Sequence, residues 1–169
     1  VWEPSETVTA TAYDVPVIGW EGRWANTLRL WGARPTTLFD LARFNACDYT
    51  AAAEPETLAR TITRVLYPDD TTFQGKELRL KQEFFMTSAA IQDILRRYME
   101  AHDDLTELSD HVAIQMNDTH PALAGPELIR LLVDRHGMDF DKAMAISQKT
   151  LGYTNHTLLP DALERWSTW

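Results

Sequence analysis

Apolar and polar positions alternate twice near the amino terminus. Thr7 to Ala12 alternates small polar and apolar residues, and Asn26 to Trp31 puts Leu28 and Leu30 on one face against Thr27, Arg29 and Trp31 on the other. A period of two belongs to strands with one covered face, so two strands are expected here, able to pair across the loop between them. Pro16 and Gly19 mark turns in that loop. Leu38 to Tyr49 shows no period and reads as irregular. From Pro55 the spacing changes to three and four, with Leu58, Ile62 and Val65 or Leu66 inward, and predicts a helix over 55–66 that opens on its proline. Tyr67 to Thr72 holds Pro68, Asp69 and Asp70 and no core residue, which is the composition of a loop free to move.

Gly75 to about Glu100 carries Leu80, Phe84, Thr87, Ile91, Ile94 and Tyr98 at steps of four and three, widened by Phe85, Ala89 and Leu95. That stripe predicts a helix of about 37 Å, with Lys76, Glu77, Arg79, Lys81 and Glu83 on the opposite side and Arg96-Arg97 suiting its carboxyl end. Asp103 to Asp110 is a short acidic connection. Val112 to Met116 is an apolar run of the kind that fills a buried strand, and it ends in Asn117-Asp118-Thr119-His120-Pro121. Pro126 to His136 is helical, stopped by Gly137, and Asp139 is placed to cap a last helix over 140–150. Leu151 to Pro160 is a second strand-like run with Asn155-His156-Thr157 at its polar end, and Leu163 and Trp166 open another helix. The fold class is therefore α/β, helix-rich with a few strands. The length fits one domain with a strand-rich part (1–50), two helices and a loop (51–110) and a strand-helix part (111–169).

Composition narrows the partners. With 25 acidic against 16 basic residues the net charge is −9, which lacks the basic footprint of a nucleic-acid binder. Cys47 is the single cysteine, so no internal disulfide forms and a reducing, cytoplasmic setting fits. No apolar run reaches the roughly 20 residues that span a bilayer. The absent initiator Met and the two tryptophans at the carboxyl end suggest a segment of something longer.

The chemistry concentrates in two polar tips. Parallel strands would carry Asp118, Thr119 and His120 to the same sheet edge as Asn155, His156 and Thr157, where amides, hydroxyls and imidazoles suit a polyhydroxylated ligand. Two other readings remain open: Asp118 and Thr119 cap the next helix while His156 sits in a core, or Asp118, His120 and His156 form a two-histidine, one-carboxylate metal face. There is no Gly-x-Ser-x-Gly turn and no glycine-rich phosphate loop. Arg79 lies just beyond Asp69-Asp70 and would face a loop carboxylate. Arg96-Arg97 fits either a phosphate or an exposed helix end.

Several strings taken together resemble the α-glucan phosphorylases, the glycogen, starch and maltodextrin enzymes. They are Tyr13-Asp14-x-Pro16, Asn26 to Trp31, Arg64-Val65-Leu66-Tyr67-Pro68-Asp69-Asp70, Gly75 to Glu83, Gln92-Asp93-Ile94, Arg96-Arg97, Asn117 to Pro121, and Tyr153 to Trp166, in order along nearly the whole chain. The resemblance implies a piece of the Rossmann-like N-terminal half of a GT-B-type glycosyltransferase. Such enzymes transfer glucose from an α-1,4-glucan to inorganic phosphate, giving glucose 1-phosphate, with pyridoxal phosphate on a lysine outside this chain. A fragment lacking that lysine is expected to be inactive.

By position, His156 resembles the histidine that bonds the 6-hydroxyl of the reacting glucose. Asp118, His120, Asn155 and Thr157 resemble its pocket neighbours. Asp69, Asp70, Thr71 and Thr72 resemble a gate loop and Arg79 its arginine. Helix 55–66 resembles the tower helix of the family's homodimer. Arg96 and Arg97 resemble the pair that holds the phosphate of the activator AMP, but the acidic connection after them and the Asp-Asp-Thr-Thr gate depart from regulated members. The resemblance assigns no metal and no catalytic residue to this segment. The alternative is a non-catalytic helical interaction module whose polar clusters are caps.

Overall fold

A computed structural model describes residues 2–37, 39–159 and 163–167. The chain groups into two compact units, one of residues 3–85 and one of Trp2 with the residues from Met86 onward.

In the first unit, β1 (Val8–Ile18) pairs antiparallel with β2 (Ala25–Pro35), in register from Val8 opposite Pro35 to Ile18 opposite Ala25. Both strands outrun the predicted stretches, and Pro16 lies inside β1 rather than at a turn. A two-stranded ribbon leaves one side of each strand unpaired, so a missing N–H there removes no ladder bond. The reversal falls at Gly19, whose N–H bonds the Trp24 carbonyl at 2.8 Å, and at Gly22, whose φ of 69° suits glycine. Opposite residues Asp14 and Arg29 form a bidentate pair, Nε to Oδ1 at 2.7 Å and Nη2 to Oδ2 at 2.6 Å.

Where no regular structure is expected, α1 (Leu41–Asn45) forms on an Asp40 cap, its carboxylate accepting from the Arg43 N–H at 3.0 Å. α2 (Tyr49–Arg64) starts at an Asp48 cap, ahead of Pro55, which ends up inside the helix. Asp48 and the run Ala51-Ala52-Ala53 set the start, and the proline deletes only the bond to the Ala51 carbonyl. The buried face is Ala52, Ala59 and Ile62; Leu58, Val65 and Leu66 are exposed, against expectation. Small residues let α2 approach β2 closely enough for the Ala33 N–H to bond the Thr63 hydroxyl at 3.1 Å. α3 (Phe73–Met99) then begins. Its middle is covered well beyond the apolar stripe, so that Gln82 and Glu83 are both buried, although Glu83 was expected on the polar side.

In the second unit the rest of α3 supplies Ile91, Leu95 and Tyr98 to a core with Leu108, Ala124, Leu128, Leu131, Leu132, Ala143 and Ile146. The acidic connection is partly helical, with a 3-10 turn at Leu105–Glu107 and α4 (Leu108–His111), because Leu108 is drawn fully inside. β3 (Ile114–Asn117), α5 (Ala124–Asp134), α6 (Phe140–Thr150) and β4 (Leu151–Thr154) follow. The Asp139 carboxylate caps α6, accepting from Asp141 N–H at 3.0 Å and Lys142 N–H at 3.3 Å. Gly137 takes φ 66° after α5.

β3 pairs parallel with β4 from Ile114 opposite Leu151 to Asn117 opposite Thr154. β3 is half-covered rather than buried, with Ile114 and Met116 turned to the core and Gln115 and Asn117 exposed. The described residues Leu163–Ser167 are not helical, contrary to the expected helix, and Pro160 lies outside the described residues. Glu127 is buried by being satisfied: the Ser88 hydroxyl donates to it at 2.5 Å and Arg130 at 2.7 and 2.8 Å. Leu132 is completely inaccessible. Leu132→Ala should therefore cost about 2–5 kcal/mol in urea unfolding, through lost transfer energy and the cavity left behind.

Candidate functional site

The two polar tips leave adjacent strands at the same end. Because β3 and β4 run parallel with Asn117 opposite Thr154, Asp118 to His120 and Asn155 to Thr157 both follow the carboxyl edge of this small sheet. The Asp118 N–H donates to the Thr154 carbonyl at 2.8 Å, carrying the ladder one residue past the strands. There the chain turns sharply: Asp118 has φ 71°, a left-handed conformation that aspartate tolerates better than most residues. Its Oδ1 accepts from the Thr119 N–H at 2.7 Å and from the Thr119 hydroxyl at 3.3 Å.

His120 is half-buried, with Nε2 at 4.0 Å from Oε1 of the well-covered Glu164. On the other tip, Asn155 Oδ1 accepts from the Thr157 N–H at 3.1 Å and the Thr157 hydroxyl from the Leu159 N–H at 3.1 Å. These local bonds hold the loop open instead of letting it continue as strand. The His156 side chain is exposed. It is therefore not a core histidine; Asp118 and Thr119 bond to one another, and Leu123, at the start of α5, makes no side-chain cap bond. Gln115 ties the strands together, its Nε2 donating to the Thr154 hydroxyl at 2.9 Å. Among the described residues no three of His, Cys, Asp or Glu are grouped so that they could hold a metal ion.

The loop residues belong to the unit of residues 3–85. Arg79 Nη1 meets Asp70 Oδ2 at 2.8 Å, the expected loop pair, and its guanidinium lies 4.7 Å over the Tyr67 ring. Asp69 turns instead to Thr71, accepting from its N–H at 2.7 Å. The Thr71 hydroxyl and N–H hold the Asp69 carboxyl below the usual carboxylate range. The Thr72 hydroxyl accepts from the Gly75 N–H at 3.1 Å, opening α3. A Cβ on Gly75 would stand 1.9 Å from the Asp69 carbonyl, so the loop lies directly on the first turn of that helix.

At the other end of α3, Arg96 is engaged by carboxylates on its own helix, Asp93 at 2.8 Å and Glu100 one turn on. Arg97 is exposed beside it. The sequence gives no direct signal for Glu164 beside His120, nor for the buried Gln82, Ser88 and Glu127; long-range pairing of polar side chains leaves no periodicity to read.

This chain belongs to the carbohydrate phosphorylase family, whose sequence model matches residues 1–169. It is 54% identical over 163 residues to a glycogen phosphorylase of Chlamydia trachomatis and 49% identical over 166 residues to one of Haemophilus influenzae. It is also 49% identical over 173 residues to the brain form of glycogen phosphorylase from Homo sapiens. Each match covers 96–98% of this chain and 20% of the relative, so the chain spans about a fifth of the length of the proteins it resembles. The α/β content, with helices and a few strands, is compatible with part of such an enzyme.

Proposed function

We propose that these residues form the substrate-pocket segment of an α-1,4-glucan phosphorylase, built in the N-terminal half of a GT-B-type enzyme that acts in the cytoplasm. The observation that carries this reading is the parallel register of β3 and β4, after which two clusters of hydrogen-bonding side chains follow at one sheet edge. In this reading His156 bonds the 6-hydroxyl of the terminal glucose, and Asp118, His120, Asn155 and Thr157 line the pocket. Asp69, Asp70, Thr71 and Thr72, with Arg79, make a gate loop. The full-length enzyme breaks the bond between C1 of that glucose and the glycosidic oxygen. Inorganic phosphate takes the glucosyl unit as glucose 1-phosphate, and the released oxygen gains a proton. Contacts that hold the ring as charge grows at C1 would lower the barrier.

Pyridoxal phosphate is proposed on a lysine elsewhere in the full-length protein. The lysines here do not fit it. Lys81 lies 3.1 Å from Glu77 and 3.2 Å from Glu6, and those partners hold its ammonium protonated. Lys76, Lys142 and Lys149 are exposed.

A homodimer across the tower-like helix expected over 55–66, of which residues 55–64 are the later part of α2, is favoured by its outward Leu58. The internal pairing of Arg96 disfavours a nucleotide phosphate there. Incubating the full-length protein with maltooligosaccharide and inorganic phosphate should yield glucose 1-phosphate, with less than about twofold stimulation by AMP. Absence of that product would overturn the reading. The second reading, a helical interaction module that assembles through its long helix, draws on exposed apolar helix residues such as Leu58 and Phe73.

A further inference from the structure

We propose that Gln82 is the positioning residue of the loop between α2 and α3; this rests on the reading of that loop as a substrate gate. Gln82 is only 4% exposed, and all of its carboxamide is used. Nε2 donates to the Ile62 carbonyl at 2.7 Å and to the Val65 carbonyl at 2.9 Å, while Oε1 accepts from the Tyr67 N–H at 3.0 Å. The first acceptor is one of the carbonyls that the end of α2 leaves without a helical partner, and the second is on Val65, the extended residue that caps the helix after Arg64.

One side chain thus fixes both where α2 stops and where the loop departs. The residue it delivers, Tyr67, has φ 59°, a conformation that a tyrosine holds only when its surroundings impose it. That conformation puts the Tyr67 ring under Arg79, and Arg79 in turn takes Asp70. Gln82 touches none of the loop's carboxylates. It sets the entry angle from which Arg79 can reach the ring and the Asp70 carboxylate together. Without its three bonds, one buried and one part-buried carbonyl and an N–H lose their partner, and the loop gains other exits from α2.

A gate spread over several poses leaves the binding-competent pose only partly populated, which weakens apparent affinity by that fraction while saturating substrate restores the turnover. In the full-length protein, Gln82→Met should therefore raise KM for maltooligosaccharide about tenfold and change kcat less than twofold. Chymotryptic cleavage after Phe73, at the far end of the loop, should accelerate by a similar factor of about ten, since that side chain is already exposed.

Thr63→Val, which removes the bond from the Ala33 N–H at the far side of α2, should lower Tm and leave KM and loop cleavage as they were. Should Gln82→Met not fold, Gln82→Glu keeps the shape and the acceptor for Tyr67, loses both donors and should shift KM in the same direction. Unchanged loop cleavage, or faster cleavage with KM unmoved, would overturn the assignment. A wild-type protein that makes no glucose 1-phosphate would instead overturn the functional reading, and the cleavage comparison would still decide the role of Gln82.

Discussion

Replacing His156 by alanine in the full-length protein is expected to lower kcat/KM for phosphorolysis by about a hundredfold, with the melting temperature unmoved. The side chain is exposed at the end of β4, so its loss opens no cavity. The proposed role is different in kind, because an imidazole that bonds a sugar hydroxyl contributes most once the ring is distorted and charged. Removing one such preorganised partner typically costs about 100- to 1,000-fold in rate. Initial rates of glucose 1-phosphate release across a range of maltooligosaccharide concentrations give both parameters. A value within twofold of wild type would remove His156 from the pocket.

The second large effect is expected from Gly75→Ala. The new methyl would stand 1.9 Å from the Asp69 carbonyl oxygen, and that atom is backbone, with no rotamer to move aside. The loop must lift from the first turn of α3, which loosens the Thr72 cap and draws Asp70 away from Arg79. Overpacking of this kind costs about 1–3 kcal/mol, and more where the neighbour is rigid. Thermal unfolding should show that loss, and activity should fall with it. Gly125→Ala is the matched control, since its methyl would meet only Leu151 Cδ1 at 3.9 Å, ordinary contact. A Gly75→Ala protein as stable as the Gly125→Ala protein would show that the loop does not rest where it is described.

What sequence patterning could and could not reveal follows from which forces leave a period. The Leu128, Leu131 and Leu132 stripe of α5 and the Asp139 cap of α6 were legible because each is local. The pairing of β3 with β4 was inferable because both strands end in polar tips, although only the ladder fixes Asn117 opposite Thr154. α2 was misread because Pro55 outweighed the Asp48 cap and three alanines before it, and because close packing selects small residues that a hydrophobic scan ignores. Pro16 misled for the converse reason, since an unpaired strand side forgives it. Glu83 falls on the polar side of α3 on polarity alone, yet it is buried, as are Gln82 and Glu127. Gln82 bonds carbonyls at the end of α2 and Glu127 accepts from Ser88 on another helix, and such long-range polar pairing is invisible to periodicity. At the candidate site the residue types were readable, whereas the positive φ of Asp118 and the approach of Glu164 to His120 depend on tertiary structure.

The most direct measurement is diffraction from crystals of the full-length protein soaked with a maltooligosaccharide. A terminal glucose seated at the ends of β3 and β4, within hydrogen-bond reach of His156 and the Asp118 turn, is the predicted result. Sugar density elsewhere, with both tips bare at saturating oligosaccharide, would contradict the idea that these two loops exist to hold a glucose ring.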